Sequence, residues 1–406
     1  MPCRIEAAAP PARPTPPPLP DALAWIADDL AAVRAADLER PRRVRSGRQG
    51  REVLLDGRPL LNFGSNDYLG YAGDVRLTKA ASRAACAEGF GAGASPLVSG
   101  HSAAHDLLEQ SIAGLLGVDA ALVFSSGFAA NAATLAALAG AEDFVASDAR
   151  NHASIIDGCR LCRAAVGVYP HRDMAALDAL LTQAAAARRR VIVTDTLFSM
   201  DGTVAPLADL CALARKHRAI LMVDEAHATG VFGDRGSGLV EESGCAAGVH
   251  VRVGTLSKAL GAAGGFVAGH DALIHWLRHK ARAWIFSTAH PPAVAAAAAR
   301  GIALLAEEPH RRRELLAAAA AVRDALAAAG VAAAAHGQIV PVVVGAAGRA
   351  VVVSTRLAEA GLFVPAIRPP SVAPGGSLVR VSLSWLHTVA DRERLVAALV
   401  AALRQE

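Results

Sequence analysis

Val253-Gly-Thr-Leu-Ser-Lys-Ala-Leu-Gly-Ala-Ala-Gly-Gly265 contains one lysine, Lys258, between hydroxyl residues and a run of small residues. The residues that lead into it, 250–253, are typical of the end of a strand. Its glycines allow the backbone to pass close to a ligand. A lysine near the carboxyl ends of strands is placed to form a Schiff base with a carbonyl compound. An ordinary surface lysine in a glycine-rich turn is the alternative interpretation.

The chain on both sides of this segment alternates between short apolar runs and helical patterns. The large sheet is predicted to contain strands at 121–124, 143–147, 166–170, 191–194, 220–223, 251–253 and 265–268. Such alternation is typical of an α/β fold with a mainly parallel central sheet and helices on both faces. Ligands bind beyond the carboxyl ends of the strands in these sheets, so the residues after each strand are the candidate site residues.

Polar residues follow four of these predicted strands. A turn at 125–128 opens a helix predicted over 129–139, whose free N–H groups and dipole suit a phosphate, as the start of any capped helix would. His152, after the strand at 143–147, is placed to stack on a planar ring, or it is an ordinary loop histidine. Ser199 follows the strand at 191–194. Asp224 could pair with a protonated ring nitrogen, and His227 could reach another edge of that ring. Otherwise Asp224 caps a helix and His227 faces solvent.

Six motifs taken together resemble the α-oxoamine synthases, a pyridoxal-phosphate-dependent family. The motifs are LNFGSNDYLG at 61–70, SGFAAN at 126–131, NHAS at 151–154, FSMDG at 198–202, VDEAH at 223–227 and TLSK at 255–258. They follow the family's order and spacing, and the resemblance runs from about residue 22 to the C-terminus. It implies the type I pyridoxal-phosphate transferase fold, which is that of aspartate aminotransferase, with a smaller α+β C-terminal domain.

The resemblance also implies catalytic roles. Lys258 would form the Schiff base with pyridoxal 5'-phosphate and act as the general base. Asp224 would bind the pyridine nitrogen, and His227 the ring hydroxyl oxygen. His152 would stack on the ring, and Ser199 would contact the ring oxygen.

Further residues would hold the phosphate and the substrate. The phosphate-binding residues implied by the resemblance are Gly127, Phe128 and Thr255. Thr288 would reach the phosphate from the partner subunit, which implies a homodimer with shared active sites. The residues that would face the substrate are Arg40, Asn66, His152, Arg368 and Ser371. Arg368 would grip the carboxylate of the amino acid in a fork.

The segment Val364-Pro-Ala-Ile-Arg-Pro-Pro-Ser-Val372 is most similar to the biotin-pathway members of the family. This likeness implies a decarboxylative condensation of L-alanine with a pimeloyl thioester, carried by coenzyme A or by acyl-carrier protein. Condensation of glycine with acetyl-CoA is the alternative within the family. An aminotransferase, or a binding module without chemistry, are alternatives outside it. The intact Lys258, Asp224 and His227 argue against the last of these.

Composition bears on several other function classes. A net charge of +4 over 406 residues argues against a dedicated nucleic-acid binder. Apolar runs such as 293–299 are too short to cross a membrane. Six scattered cysteines fit a reducing, cytoplasmic compartment. The CxxC of Cys159 and Cys162 lacks a second pair or a histidine cluster at ligand spacing, so we expect no metal site.

We expect four segments along the chain. Residues 1–20 form a Pro-rich leader, predicted to be disordered, without a signal-peptide pattern. Residues 21–60 form an N-terminal helix and arm, in which Asp21 would cap the helix. Six arginines between Arg40 and Arg51 form a solvated face or bind an anionic substrate. Residues 61–294 form the large cofactor-binding domain, and residues 295–406 form the small domain, which is predicted to begin with one Ala/Leu-rich helix up to about Ala329.

Overall fold

The computed structural model describes residues 19–333 and 335–404. The predicted leader therefore lies outside the described residues, apart from Leu19 and Pro20. Contacts divide the chain into two units, one that ends at Arg42 and one that begins at Arg43. The boundary expected at residue 294 stays a prediction.

The first unit contains a 3-10 turn, Asp21–Leu23, followed by helix α1, Trp25–Ala35. Asp21 does not cap α1, because it lies within the preceding turn and Ala24 is the residue before the helix. The carbonyl oxygen of Asp21 accepts the N–H of Ala24 instead. Leu23, the last residue of the 3-10 turn, is 42% exposed.

The second unit begins with a small sheet and then forms the large sheet. The small sheet contains β1 (Arg45–Ser46), β2 (Glu52–Leu55) and β3 (Arg58–Asn62). The large sheet contains β4 (Ala120–Phe124), β5 (Phe144–Asp148), β6 (Ala165–Tyr169), β7 (Arg190–Asp195), β8 (Ile220–Asp224), β9 (Val251–Thr255) and β10 (Gly265–Gly269). The strand order is β4-β10-β9-β8-β7-β5-β6. In this sheet β10 runs opposite to the other six strands, so the predicted mainly parallel sheet is confirmed.

Helices cover both faces of the large sheet. They are α2 (Val75–Glu88), α3 (Ala103–Leu116), α4 (Gly127–Leu138), α5 (Ala153–Leu161), α6 (Met174–Gln183), α7 (Leu207–Lys216), α8 (Leu239–Glu242), α9 (Asp271–Lys280) and α10 (Arg282–Ile285). Successive side chains of a strand point to opposite faces, so Leu221 and Val223 join one core while Met222 joins the other. A sheet buried on both faces explains why its strands are continuous apolar runs.

The C-terminal part alternates helices and short strands. Its elements are α11 (Pro292–Glu307), α12 (His310–Ala328), β11 (Ile339–Gly345), α13 (Ala347–Glu359), β12 (Leu362–Phe363), β13 (Ala366–Ile367), β14 (Ser377–Ser382) and α14 (Val389–Arg404). The strands β11, β14 and β13 form an antiparallel sheet, and β12 pairs with β3. The single helix expected up to Ala329 is two helices, because Pro309 interrupts the pattern. The α+β character predicted here is confirmed.

A buried ion pair ties the strand ends together. Glu225 follows β8, and one of its carboxylate oxygens accepts the Nε–H of Arg252, on β9, at 2.8 Å. The other oxygen accepts the N–H of Val240 at 2.9 Å. Arg252 also donates to the carbonyl oxygens of Leu116 and Ser237. These partners satisfy two charges that would be costly to bury alone.

Candidate active site

Four adjacent strands end at one edge of the large sheet, and each end carries a polar residue. Strands β5, β7, β8 and β9 run parallel and end at Asp148, Asp195, Asp224 and Thr255. The carboxyl ends of parallel strands open into a crevice where ligands bind. The loops that follow therefore bring together side chains that are far apart in the sequence.

Lys258 heads a chain of polar contacts at this edge. Its Nζ lies 2.8 Å from His227 Nε2, and His227 Nδ1 lies 2.6 Å from the Tyr68 hydroxyl oxygen. The Tyr68 hydroxyl donates to Asn66 Oδ1 at 3.2 Å, and Arg380 donates to the same oxygen at 3.2 Å. Because the Tyr68 hydroxyl hydrogen points to Asn66, its oxygen accepts the Nδ1–H of a neutral His227. The other ring nitrogen, Nε2, then carries no hydrogen and can accept one from Lys258 Nζ.

The environment changes the ionisation of both Lys258 and His227. Burial, followed by the positive charges of Lys258 and Arg380, lowers the pKa of His227 well below its usual range. Burial also lowers the pKa of Lys258 to about 8, although the nearby carboxylate of Asp224 opposes this shift. A lysine with such a pKa supplies a neutral amine near physiological pH, as a Schiff-base nucleophile requires.

Asp224 is held by two donors and is connected to His152. Its Oδ2 accepts from Asn131 Nδ2 at 2.6 Å, and its Oδ1 accepts the N–H of Ala226 at 2.7 Å. Asn131 also donates to Ser154 Oγ at 3.0 Å, and Ser154 Oγ lies 2.7 Å from His152 Nδ1. The imidazole of His152 is exposed, so a planar ligand can reach its face. Asn131 and Ser154 lie in the motifs, but no role was predicted for them.

Asp195 is a further site residue that sequence reasoning missed. It is paired with Asp224 across β7 and β8, and its Oδ2 accepts the backbone N–H of His152 at 2.8 Å. Burial and the repulsion from Asp224 raise the pKa of Asp195 well above its usual range. A carboxyl group that retains its proton adds no second negative charge beside Asp224. Its position at the end of a predicted strand was the available signal.

The start of α4 forms a cradle with the segment around Thr255. Ser126 caps the helix, since its Oγ accepts the N–H of Ala129 at 3.1 Å. Thr255 Oγ1 lies 2.7 Å from Ser257 Oγ, and a Cβ on Gly127 would lie 3.5 Å from Thr255 Cβ. A Cβ on Gly265 would overlap the backbone of Gly127, so only glycine permits this approach. Hydroxyl groups beside the first N–H groups of a helix suit a phosphate.

The other predicted residues lie at varying positions. Phe128 is 47% exposed on the first turn of α4, and Ser199 is half-buried in the turn after β7. Thr288 is exposed between α10 and α11. Arg40 belongs to the first unit, which ends two residues later. None of these placements tests the predicted roles, which stay predictions.

A second arginine is a candidate for binding the carboxylate of the amino acid. Arg368 is half-buried after β13, and its carbonyl oxygen accepts the N–H of Ser371, whose side chain is exposed. Arg380, on β14, is the arginine in the polar chain that leads through Tyr68 to Lys258. Arg380 is a charged residue within a buried apolar strand, and such a residue requires a partner. That feature of the sequence could have marked Arg380 as a site residue.

The metal-ligating side chains and the cysteine pair bear on the expectations from the sequence. The described histidine, cysteine, aspartate and glutamate side chains form no group of three or more that could hold a metal ion. The thiols of Cys159 and Cys162 are free and buried. Burial raises the pKa of Cys159 to about 11, which keeps the thiol protonated.

Within residues 19–333 and 335–404, no helix has the length and apolar character needed to cross a membrane.

The residues at the sheet edge fit pyridoxal phosphate. They supply an amine for its aldehyde, a carboxylate for its ring nitrogen and a helix start with hydroxyl groups for its phosphate. His152 adds an exposed aromatic face. This set matches the group of functions that the cofactor requires.

Known proteins provide independent comparisons. The model of the family "Aminotransferase class I and II" matches residues 58–399. The chain is 46% identical to the 8-amino-7-oxononanoate synthase of Burkholderia thailandensis over 385 residues, which cover 93% of this chain and 98% of that protein. The solved serine palmitoyltransferase of Sphingomonas wittichii has a TM-score of 0.89 and 31% identity, over 95% of this chain and 98% of its own. The 8-amino-7-oxononanoate synthase of Francisella tularensis has a TM-score of 0.73 and 25% identity, over 85% and 98%.

Proposed function

The chain belongs to the pyridoxal-phosphate-dependent class I and II aminotransferase family, and on that premise we propose that it condenses L-alanine with a pimeloyl thioester. The products would be 8-amino-7-oxononanoate, carbon dioxide and the free thiol carrier. The observation that carries this proposal is the group of Lys258, His227 and Asp224 in a chain so similar to 8-amino-7-oxononanoate synthases. Biotin biosynthesis would be the pathway and the cytoplasm its location.

Pyridoxal phosphate would be held from three sides. Lys258 Nζ would bind its aldehyde carbon, and Asp224 would hold the proton of its ring nitrogen. The first N–H groups of α4 and the hydroxyl of Thr255 would bind its phosphate. When bound, the cofactor supplies an electron sink that stabilises negative charge at the Cα of the amino acid. His227 and Ser199 would contact the ring hydroxyl oxygen, and His152 the ring face, as predicted from the resemblance.

Lys258 would also move the Cα proton. Its pKa of about 8 lies close to working pH, so Nζ is well suited both to take up the proton and to return it. His227 lies 2.8 Å away and would orient the amine through Nε2. The Tyr68 hydroxyl, 2.6 Å from the other ring nitrogen, would keep the imidazole in that orientation.

Two arginines are candidates for holding the carboxylate of alanine. Arg368 is the predicted one, and Arg380 is supported by its contacts with Asn66 and Tyr68. Both Asn66 and Arg380 belong to the group around Lys258, and an amide beside a guanidinium suits a carboxylate. We therefore assign the carboxylate to Arg380 and Asn66.

The condensation would form a carbon–carbon bond and break the carbon–sulfur bond of the thioester. A carbon–carbon bond forms between Cα of alanine and the thioester carbonyl carbon, and the carbon–sulfur bond breaks, so the thiolate leaves and takes up a proton. The carboxylate of alanine then departs as carbon dioxide, and Cα is reprotonated. The protein contributes position and proton transfer, because the reacting groups come from the substrates and the cofactor.

The carrier and the partner subunit complete the proposal. The arginines between Arg40 and Arg51 would bind the phosphates of the thioester carrier, with an affinity that falls as salt rises. Arg40→Ala should raise KM for the thioester far more than KM for alanine.

Thr288 would reach the phosphate of a second copy, so the active form would be a homodimer. Sedimentation of a fully active monomer would contradict that assembly.

A substrate screen tests the proposed function. Purified chain with pyridoxal phosphate would be offered alanine, glycine and serine against pimeloyl, acetyl and palmitoyl thioesters, with mass detection of the amino ketone, carbon dioxide and free thiol. We expect alanine with the pimeloyl thioester to be the best pair. Lys258→Ala is the matched control and should form no product. A preference for glycine with acetyl-CoA would refute the proposed substrates, and a keto acid formed from the amino donor would refute the reaction type.

A further inference from the structure

His171 links two loops that carry predicted cofactor-binding residues, although it is not itself one of them. It lies in the turn between β6 and α6, with 14% of its side chain exposed. Its Nδ1 is 2.9 Å from Asp148 Oδ1, and its Nε2 is 2.8 Å from Thr203 Oγ1. Each ring nitrogen therefore contacts a different loop.

The first loop, residues 148–152, leads from β5 to His152. The carboxylate of Asp148 accepts the backbone N–H of Arg150 at 2.8 Å and that of Arg172 at 3.0 Å. Its side chain is only 2% exposed, so its charge depends on these partners and on His171. Asp148 thus contributes to the course of the chain from β5 to His152, together with the bond from the His152 N–H to Asp195.

The second loop, residues 198–203, is a tight turn that carries Ser199. Its ends are joined by the N–H of Phe198, which donates to the carbonyl oxygen of Thr203 at 2.9 Å. Thr203 donates its hydroxyl to Asp201 Oδ1 at 2.7 Å and its backbone N–H to the same oxygen at 3.0 Å. The rings of Phe198 and His171 are nearly perpendicular, with 4.4 Å between their centroids.

Both ring nitrogens of His171 have a polar partner, and the two partners lie in different loops. The hydroxyl of Thr203 donates to Asp201 Oδ1, and its oxygen contacts Nε2 of His171. A carboxylate oxygen of Asp148 contacts Nδ1. The imidazole therefore bridges the two loops through both of its ring nitrogens.

A second link between the loops is weaker. Arg150 and Asp201 form an ion pair, but the Arg150 side chain is 56% exposed. Exposed ion pairs contribute little, because water screens the charges and two flexible side chains must be ordered. Of these two links between residues 148–152 and 198–203, the half-buried contacts of His171 therefore contribute more.

We propose that His171 is a positioning residue, which fixes the loop of His152 relative to the turn of Ser199. This inference rests on the proposed function only for the roles of those two residues at the cofactor ring. With His171 in place, the group expected on the face of the ring and the group expected at its edge keep a constant separation. A constant separation favours cofactor binding, because less ordering is needed when the cofactor arrives.

Three substitutions separate the two contacts of the ring. An asparagine amide occupies the place of Nδ1, so His171→Asn keeps the contact with Asp148 and loses the one with Thr203. A longer glutamine amide reaches the place of Nε2, so His171→Gln keeps Thr203 and loses Asp148. His171→Ala loses both. Asp173→Ala is the matched control, since Asp173 caps α6 in the same turn through the N–H of Ala176.

The first measurement is amide hydrogen exchange in the purified chain without cofactor. His171→Asn should speed exchange in residues 198–203 by about tenfold and leave residues 148–152 unchanged. His171→Gln should give the reverse pattern, and His171→Ala should speed both. Asp173→Ala should change neither loop. Equal acceleration of both loops in the Asn and Gln variants, or none in the Ala variant, would overturn the inference.

The second measurement is the dissociation constant of pyridoxal phosphate, read from absorbance without substrates. We expect His171→Ala to raise it by about tenfold, and the Asn and Gln variants to restore it only in part. Unchanged affinity in the Ala variant would overturn the positioning role. Neither readout requires turnover, so failure to form 8-amino-7-oxononanoate would refute the proposed function without touching this result. Normal condensation with unchanged exchange in the variants would refute this inference alone.

Discussion

Lys258 should capture pyridoxal phosphate at a rate that levels off above pH 8, because only its neutral amine attacks the aldehyde. Burial lowers the pKa of Lys258 from 10.5 to about 8, against the opposing charge of Asp224. At pH 8 about half of the Lys258 side chains are then neutral, compared with about 0.3% of ordinary lysines, which is roughly a 150-fold difference. The protonated amine is unreactive, so the rate should fall as the pH drops through 8.

The assay is borohydride trapping at short times after mixing apo chain with pyridoxal phosphate. Peptide mass spectrometry of residues 251–265 would report the fraction of Lys258 modified at each pH between 6 and 10. Nα-acetyl-lysine, treated in the same buffers, corrects for the ionisation of the cofactor itself. Lys258→Ala should show no modification of this peptide.

Two charge-removing variants test the physical cause. The charge of Asp224 raises the pKa of Lys258 and that of Arg380 lowers it. Asp224→Asn should therefore move the midpoint of the rate profile below that of the unsubstituted chain, and Arg380→Gln should move it above. A rate that keeps rising to pH 10 in the unsubstituted chain would refute the reasoning. So would two midpoints that move in the same direction.

Other predictions concern the turnover rate, the binding of the alanine carboxylate and the stability of the fold. Asp224→Asn should lower kcat by a factor of about 100 with cofactor bound, since a preorganised charge is lost, and steady-state rates check this. Arg380→Gln should raise KM for alanine more than Arg368→Gln does; the opposite order would return the carboxylate to Arg368. Glu225→Gln should destabilise the fold by about 3–5 kcal/mol, because Arg252 loses its buried partner. Urea unfolding measures that loss, and an unchanged midpoint would contradict it.

The sequence alone determined the fold class and the elements that carry the site. Each strand predicted in the large sheet was located within two residues of its observed bounds, because apolar periodicity is a local property of the chain. The motifs placed Lys258, Asp224 and His227 just after predicted strands, because an apolar run precedes each motif in the sequence. Their joint match to one family was confirmed by the comparisons.

The predicted helix boundaries were wrong at two places, one set by a proline and one by the start of a 3-10 turn. The alanine-rich run before Ala329 reads as one helix, because alanine favours helix throughout and periodicity does not register a single interruption. Pro309 nevertheless separates α11 from α12. Asp21 has the right residue type for a cap, but the turn that contains it begins earlier than the helix.

The tertiary structure decided which polar groups meet. Arg380 and Asn66 lie 314 residues apart in the sequence, yet their side chains are within 3.2 Å. Asp195 gained its contact with His152 because β5 and β7 are neighbours in the sheet, although β6 separates them along the chain. Periodicity reports which face of an element is buried, but not which element packs against that face. The choice between Arg368 and Arg380, and the bridge made by His171, therefore depended on the packing of distant segments, which a single sequence does not specify locally.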